Sequence, residues 1–310
     1  MGKRGLIVLL LLVVAACQQQ AGPAPEAAFI GGQVGLQVEF QPDAPPKEVY
    51  DGGRFPFAVV VKLQNLGEFF VPKDKVKVTL SGIQAQEFGL TSTDLVRNPV
   101  DDLIARRKDP VGNVIESNPS FLEFRNLNRQ QRITGSALVY PLRADVCYNY
   151  GTLATAKLCS RQSILNPAPG GICQINEEKP VANSGAPVQI VSLLESARAQ
   201  DKIAFTFKMQ HVGSGALYRR GSGCDKSQVV RVNEQRVFVS VREPQNVECV
   251  GLQGTARNEG EVTLFDGSNT VTCTVNLEQP GDFEFPLTID LNYDYENTVT
   301  TSFVVKRSEQ

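Results

Sequence analysis

The chain has 310 residues with 31 basic and 33 acidic side chains, and removing the first 16 residues with Lys3 and Arg4 leaves 29 basic against 33 acidic. That mild negative balance argues against a general binder of nucleic acid or of anionic lipid through bulk charge. An apolar content of 42% suffices for folded cores of about two ordinary domains, while the absence of Trp and the single His211 narrow the available chemistry.

At the N-terminus Lys3 and Arg4 precede an apolar run from Leu6 to Val14 and then Ala15-Ala16-Cys17. Charge, apolar stretch, small residues and one cysteine, in that order, predict a lipoprotein signal peptide over 1–16 with lipidation at Cys17. A membrane span needs roughly 20 apolar residues, and this run fades into Gln18-Gln19-Gln20 well short of that. The protein is therefore expected outside the cytoplasm, held to the membrane by N-terminal lipid, two acyl chains holding firmly where one is marginal. Residues 17–28, rich in Gln, Ala and Pro, read as the lipidated cysteine and a flexible tether reaching on the order of 30 Å.

From there the pattern is strands. Phe57, Val59, Val61 and Leu63 alternate with Ala58, Val60, Lys62 and Gln64; Val76, Val78 and Leu80 alternate with Lys75, Lys77 and Thr79. Ile203, Phe205, Phe207 and Met209, then Val237, Val239 and Val241, repeat the period. Half-buried strands separated by Gly, Pro, Asn and Asp clusters predict an all-β chain, most simply a pair of sandwiches.

Residues 61–67 (VKLQNLG) align with 207–213 (FKMQHVG) at an offset of 146, and 144–150 (ADVCYNY) with 289–295 (IDLNYDY) at 145. Two matches far apart with nearly one offset point to a tandem duplication. The expected organisation is one β-sandwich over 29–166, a linker over 167–172 and a second sandwich over 173–307. The first copy carries an additional polar stretch, 97–118, with Asp101-Asp102 and Arg106-Arg107-Lys108, expected to hold one short helix in a long loop. Long loops on sandwiches are frequent contact sites, so Arg106, Arg107 and Lys108, with Arg219 and Arg220 in the stretch 217–223, are the candidate partner-binding residues.

Six cysteines remain after Cys17: Cys147, Cys159, Cys173, Cys224, Cys249 and Cys273. In an oxidising compartment they predict three disulfides. Zinc is disfavoured because no C-x-x-C pair occurs and His211 stands alone. Six cysteines leave fifteen connectivities open. Cys249 and Cys273 flank a hairpin and are the best-supported pair, and the working assignment for the rest is Cys159 with Cys173 and Cys147 with Cys224.

Each copy opens with a Pro-containing lead (Ala44-Pro45, Ala186-Pro187) and a strand ending in Asn65-Leu-Gly67 or His211-Val-Gly213. A strand followed by N-x-G resembles Ig-like modules of bacterial and archaeal surface proteins, including the cell-adhesion-related CARDB type. The chain also resembles archaeal membrane-anchored proteins with paired Ig-like domains, whose Y-x-Y strand matches Tyr148/Tyr150 and Tyr293/Tyr295. The resemblance implies a location and an architecture, two tandem Ig-like β-sandwiches, and no inherited activity.

Residue chemistry adds little. His211 falls on the inward face with Phe205, Phe207 and Met209, where a structural hydrogen bond at a strand end is expected in place of a Ser-His-Asp site. Gly213-Ser-Gly215 and Gly221-Ser-Gly223 lack the Gly-Lys-Ser/Thr ending of a phosphate loop and read as turns. Asp290, Asn292, Asp294 and Glu296 share a strand face, but a flat strand spaces alternate residues about 7 Å apart and calcium needs oxygens brought around it. They read as a polar outer face opposite Leu291, Tyr293 and Tyr295. No catalytic residue, metal ligand or cofactor is expected, and the function anticipated is non-enzymatic: adhesion, envelope structure or a binding subunit of a surface complex, with envelope or surface proteins as partners. The alternatives are a glycan- or solute-binding surface lipoprotein and, less favoured, a carboxylate-dependent hydrolase.

Overall fold

The computed structural model describes residues 28–227, 232–278 and 281–309. The signal peptide, Cys17 and the tether as far as residue 27 lie outside the described residues. The first half contains β1 (Leu36–Phe40), β2 (Glu48–Tyr50), β3 (Phe57–Asn65), β4 (Val76–Ser81), β5 (Val96–Arg97), β6 (Arg107–Lys108), β7 (Val114–Ile115), β8 (Ser120–Leu127) and β9 (Ala137–Ser160). The second contains β10 (Ala182–Asn183), β11 (Val188–Ala199), β12 (Lys202–His211), β13 (Ala216–Tyr218), β14 (Arg236–Glu243), β15 (Val247–Val250), β16 (Glu259–Thr263), β17 (Ser268–Asn276) and β18 (Phe283–Lys306).

Period-two alternation places one apolar row on each strand's inner face. Val59, Val61 and Leu63 of β3, Val76, Val78 and Leu80 of β4, Ile203 to Met209 in steps of two on β12, and Val237, Val239 and Val241 of β14 are all buried. These rows and those of the longer strands form one core cluster running through both halves.

The spine of the molecule is the pair β9 and β18, 24 residues each, antiparallel from Ala137 opposite Lys306 to Ser160 opposite Phe283. At about 3.3 Å per residue each strand is roughly 80 Å long. They sit at the centre of a nine-stranded sheet ordered β16-β14-β18-β9-β4-β5, with β10 on β9 and β13 and β2 on β18. Residues opposite one another point to the same face, so Leu142, Ala144, Val146, Tyr148 and Tyr150 share a face with Leu287, Ile289, Leu291, Tyr293 and Tyr295. A three-stranded sheet, β1-β3-β8, and a four-stranded one, β11-β12-β17-β15, complete the two halves. Sandwiches joined by a linker alone would keep their sheets apart; here both halves contribute to a single sheet. The stretch expected as linker is a loop closed by the Cys159–Cys173 disulfide, its Ala168 and Cys173 carbonyls held by the Arg161 guanidinium.

At the middle of the spine, where Asn149 faces Asp294, the halves meet on tyrosines. The Tyr148 hydroxyl donates to Asn297 Oδ1 (2.6 Å) and accepts from the Leu36 N–H (3.2 Å). Tyr293 meets the Thr152 hydroxyl (3.2 Å). Tyr150 donates to Asn65 Oδ1 (3.1 Å), and Tyr295 meets His211 Nε2 (2.9 Å) while accepting from the Gly215 N–H (2.7 Å). This explains the Asn-x-Gly and His-x-Gly phrases: a Cβ on Gly67 would collide with the Tyr150 hydroxyl and one on Gly213 with that of Tyr295.

The expected helix in 97–118 is absent. Residues 98–106 instead run extended beside 67–76: Leu103 exchanges backbone hydrogen bonds with Val71, the Arg106 N–H donates to the Gly67 carbonyl, and the Asn98 amide donates to the Val76 carbonyl (2.7 Å). Leu103 is buried, and these partners satisfy the backbone without a helical turn. What remains of the loop is the β6–β7 hairpin.

Candidate functional site

The polar face of the spine, opposite the tyrosines, carries Asp145, Cys147 and Asn149 from β9 facing Thr298, Glu296 and Asp294 from β18. A loop following β13 lies across it. The Asp294 carboxylate accepts from the backbone N–H groups of Gly221 (3.1 Å) and Gly223 (2.8 Å) and from Asn149 Nδ2 (3.2 Å). Gly221 and Gly223 have φ of 73° and 64°, the left-handed region that glycine enters freely and that turns successive N–H groups toward one anion. The anion is the protein's own carboxylate. Next to it Cys224 is bonded to Cys147, and Lys226 Nζ pairs with Glu296 (2.7 Å). Reading Gly221-Ser222-Gly223 only as a turn missed this role, although two glycines around one residue is the pattern such nests require.

The stapled loop divides the face into two clefts. One, of about 630 Å³, is bordered by Lys75, Lys77, Asn98, Asn149, Asn292 and Arg220. The other, of about 580 Å³, lies on the far side of the disulfide, between Lys77, Arg143 and Lys226. Arg143 and Thr298 both donate to Asp145 (2.7 and 2.6 Å). With Asp294 occupied by backbone N–H groups, the first cleft presents ammonium, guanidinium and amide donors together with the exposed Asp74 carboxylate, paired with Lys75 Nζ at 3.3 Å, a mixed polar lining suited to a hydroxyl-rich group.

The basic candidates fall in two places. Arg219 and Arg220 reach Glu261 at 3.5 and 3.9 Å, and the Arg220 guanidinium lies 3.2 Å from the Phe238 ring centroid. Arg106 donates to the Leu66 carbonyl and to Glu116 (3.0 Å each) and so closes the base of the β6–β7 hairpin, leaving Arg107 exposed on β6 with Lys108 beside it. Asn98, at the root of that segment, borders the same cleft as Arg220. The remaining disulfide joins Cys249 and Cys273 across β15 and β17. Among the described residues no group of three or more His, Cys, Asp or Glu side chains is placed to hold a metal ion.

Burial pushes the Tyr295 hydroxyl up to about 12 and raises the Tyr148 and Tyr293 hydroxyls well above their ordinary value, so all three stay protonated. Burial likewise holds His211 below its ordinary value, as a neutral ring against Tyr295.

No family model and no curated protein matches the sequence. Among solved structures the chain is similar to the secreted serine protease VesC from Vibrio cholerae, with 9% identity and a TM-score of 0.17 over 84% of this chain and 51% of that one. The chain spans about half the length of that protein, and a likeness at this TM-score carries no argument about fold or activity.

Proposed function

We propose that this chain is a non-enzymatic, lipid-anchored binding protein of the cell surface, two Ig-like β-sandwiches in tandem that act in adhesion, in envelope structure or as a subunit of a surface complex. Three disulfides fit an oxidising, extracytoplasmic compartment, and among the described residues no helix is long and apolar enough to cross a membrane. The observation that carries a binding role is the loop fixed on the polar spine face by Asp294 and the Cys147–Cys224 bond. A loop immobilised before a partner arrives loses less conformational entropy on contact. The cleft beside it supports a second reading, a glycan- or solute-binding lipoprotein, through its lining of lysine, arginine, amide and carboxylate side chains.

Mild crosslinking of the membrane-extracted protein, with capture and mass spectrometry, tests the first reading; a glycan array tests the second. Lys75→Glu with Lys77→Glu reverses the charge of the cleft at exposed positions. Loss of a reproducible protein partner in this variant, with an unchanged melting curve, supports the first reading. Loss of acidic-glycan binding supports the second, and capture and array both indifferent to the variant exclude the cleft as the contact surface.

A further inference from the structure

The β6–β7 hairpin exposes apolar side chains that its own fold has no use for. Val111 is 79% exposed at the apex, with Val114 at 41% and Ile115 at 42% on the returning strand; beside the base, Ile104 is 53% and Phe70 47% exposed. The apex is held in shape. Asp109 Oδ1 accepts from the N–H groups of Val111 (2.9 Å) and Asn113 (2.8 Å), and its Oδ2 accepts from Asn113 Nδ2 (3.0 Å). The Asn113 side chain and these N–H groups hold the Asp109 carboxyl below its ordinary value, so the clasp persists at any ordinary pH. A rigid turn that keeps aliphatic groups in water marks a contact surface.

Its position says what it contacts. At the base, the Arg106 N–H donates to the Gly67 carbonyl (2.9 Å). The next residue, Glu68, accepts from the N–H groups of Ile30 and Gly31 (2.9 Å each) and of Gly185 (2.7 Å). The N-terminal chain therefore meets the folded body beside the hairpin. From Cys17 to Ala28 the backbone extends at most roughly 40 Å, about half the length of the spine, so a lipid on Cys17 keeps this side of the molecule near the bilayer.

We propose that the β6–β7 hairpin rests shallowly on the lipid surface, with Val111 at the apex reaching the upper acyl chains, and with Val114 and Ile115, level with Lys108 and Arg107 across the hairpin, at the head-group boundary where the basic side chains meet phosphate and the Asp109 carboxylate stays hydrated. This deepens the anchoring reading above and rests on it. Small aliphatic residues flanked by basic ones, with Phe70 exposed beside the base, suit the boundary between acyl chains and head groups. Insertion is driven by the local apex, so the negative charge of the whole chain does not oppose it. The bilayer is then gripped at two places, the lipid and the hairpin, which fixes which side of the protein faces outward.

The chain lacks tryptophan, so Val111→Trp at the exposed apex introduces a unique fluorophore. The full-length, membrane-extracted variant is reconstituted into vesicles of phosphatidylcholine with a minority of phosphatidylglycerol, and intact-mass analysis reads the lipid on Cys17 separately. The expected result is a blue-shifted emission quenched by lipids brominated along the acyl chain. Vesicle partitioning of an unlipidated chain begun at residue 18, without the apolar run 6–14, is expected to fall about tenfold with Val111→Asp and Ile115→Asp. An indole that stays solvent-exposed on a lipid-bearing chain overturns this inference alone, and a chain without lipid overturns it together with the anchoring reading. An indole buried in native envelopes but not in vesicles of the extracted lipids assigns the hairpin to a protein partner and also overturns it.

Discussion

Tyr150 and Tyr295 hold corresponding places on the two spine strands, but what they touch differs. In the first half Asn65 is fully buried and its amide also donates to the Phe69 and Leu103 carbonyls (2.7 and 3.1 Å). Gly67 there lies under the backbone carbonyls of Gly185 and Val34. In the second half His211 is half-buried, with its ring bonded to Tyr295, and Gly213 borders a cleft of about 170 Å³. One geometry has thus been met by a sealed amide knot and by an open, titratable one. The difference lies in what crosses over each: residues around Val34 and Gly185 cap the first joint, and a small cleft adjoins the second.

Gly67→Ala should break the comparison most strongly, because its Cβ meets backbone that cannot move aside; a loss above about 3 kcal/mol or outright failure to fold is expected. Gly213→Ala, facing Pro187 and a hydroxyl, should cost about 1–3 kcal/mol; equal melts for the two would refute the sealed-against-open distinction. Removing the staple between the halves with Cys147→Ala and Cys224→Ala should lower stability by about 2–4 kcal/mol in denaturant titrations, and protease sensitivity should rise first around residues 219–227. Tyr148→Phe strands both Asn297 Oδ1 and the Leu36 N–H and should cost about 1–2 kcal/mol, against about 1 kcal/mol or less for Tyr293→Phe.

The smallest effect is the most diagnostic. Burial lowers the His211 pKa from its ordinary 6.5, so the fold favours the neutral ring. That share of stability is complete above the unfolded value and is lost as pH falls through the lower, folded one. Denaturant titrations at about pH 7.5 and about pH 5 should show the wild type less stable at the acid end. His211→Asn should reduce that difference while changing stability at neutral pH by less than about 1 kcal/mol. An unchanged acid loss would show that the ring does not contribute it.

How much of this was written in the residues differs by feature. The all-β character was plain, because Val59, Val61 and Leu63 or Phe205, Phe207 and Met209 state their inner face through period two alone. The joining of β9 to β18 was not, since alternation tells a strand which face to bury and never which strand it pairs with. Only the Tyr-x-Tyr match at an offset of 145 bore on it. Glu68 gave no signal at all, because its partners are backbone N–H groups 37 and 117 residues away. Asp294 was visible as part of a polar face, but its loop was not. The helix expected around Arg106, Arg107 and Lys108 came from local charge and yielded to pairing with residues 67–76, where a buried leucine outweighs local preference.

The first half also depends on residues that follow the second half in the chain. The early part of β9 pairs with residues 297–306, β2 lies parallel to Val304–Lys306, and Asp51 accepts from the Ser308 N–H and hydroxyl (2.8 and 2.9 Å). During synthesis β9 therefore emerges with one edge unpaired and Leu142, Val146 and Tyr148 uncovered on that side until β18 arrives. A chain ending at residue 298 would keep nearly all of its second half and lose closure of its first. The need to shield that edge in the interval falls on whatever accompanies the unfinished chain.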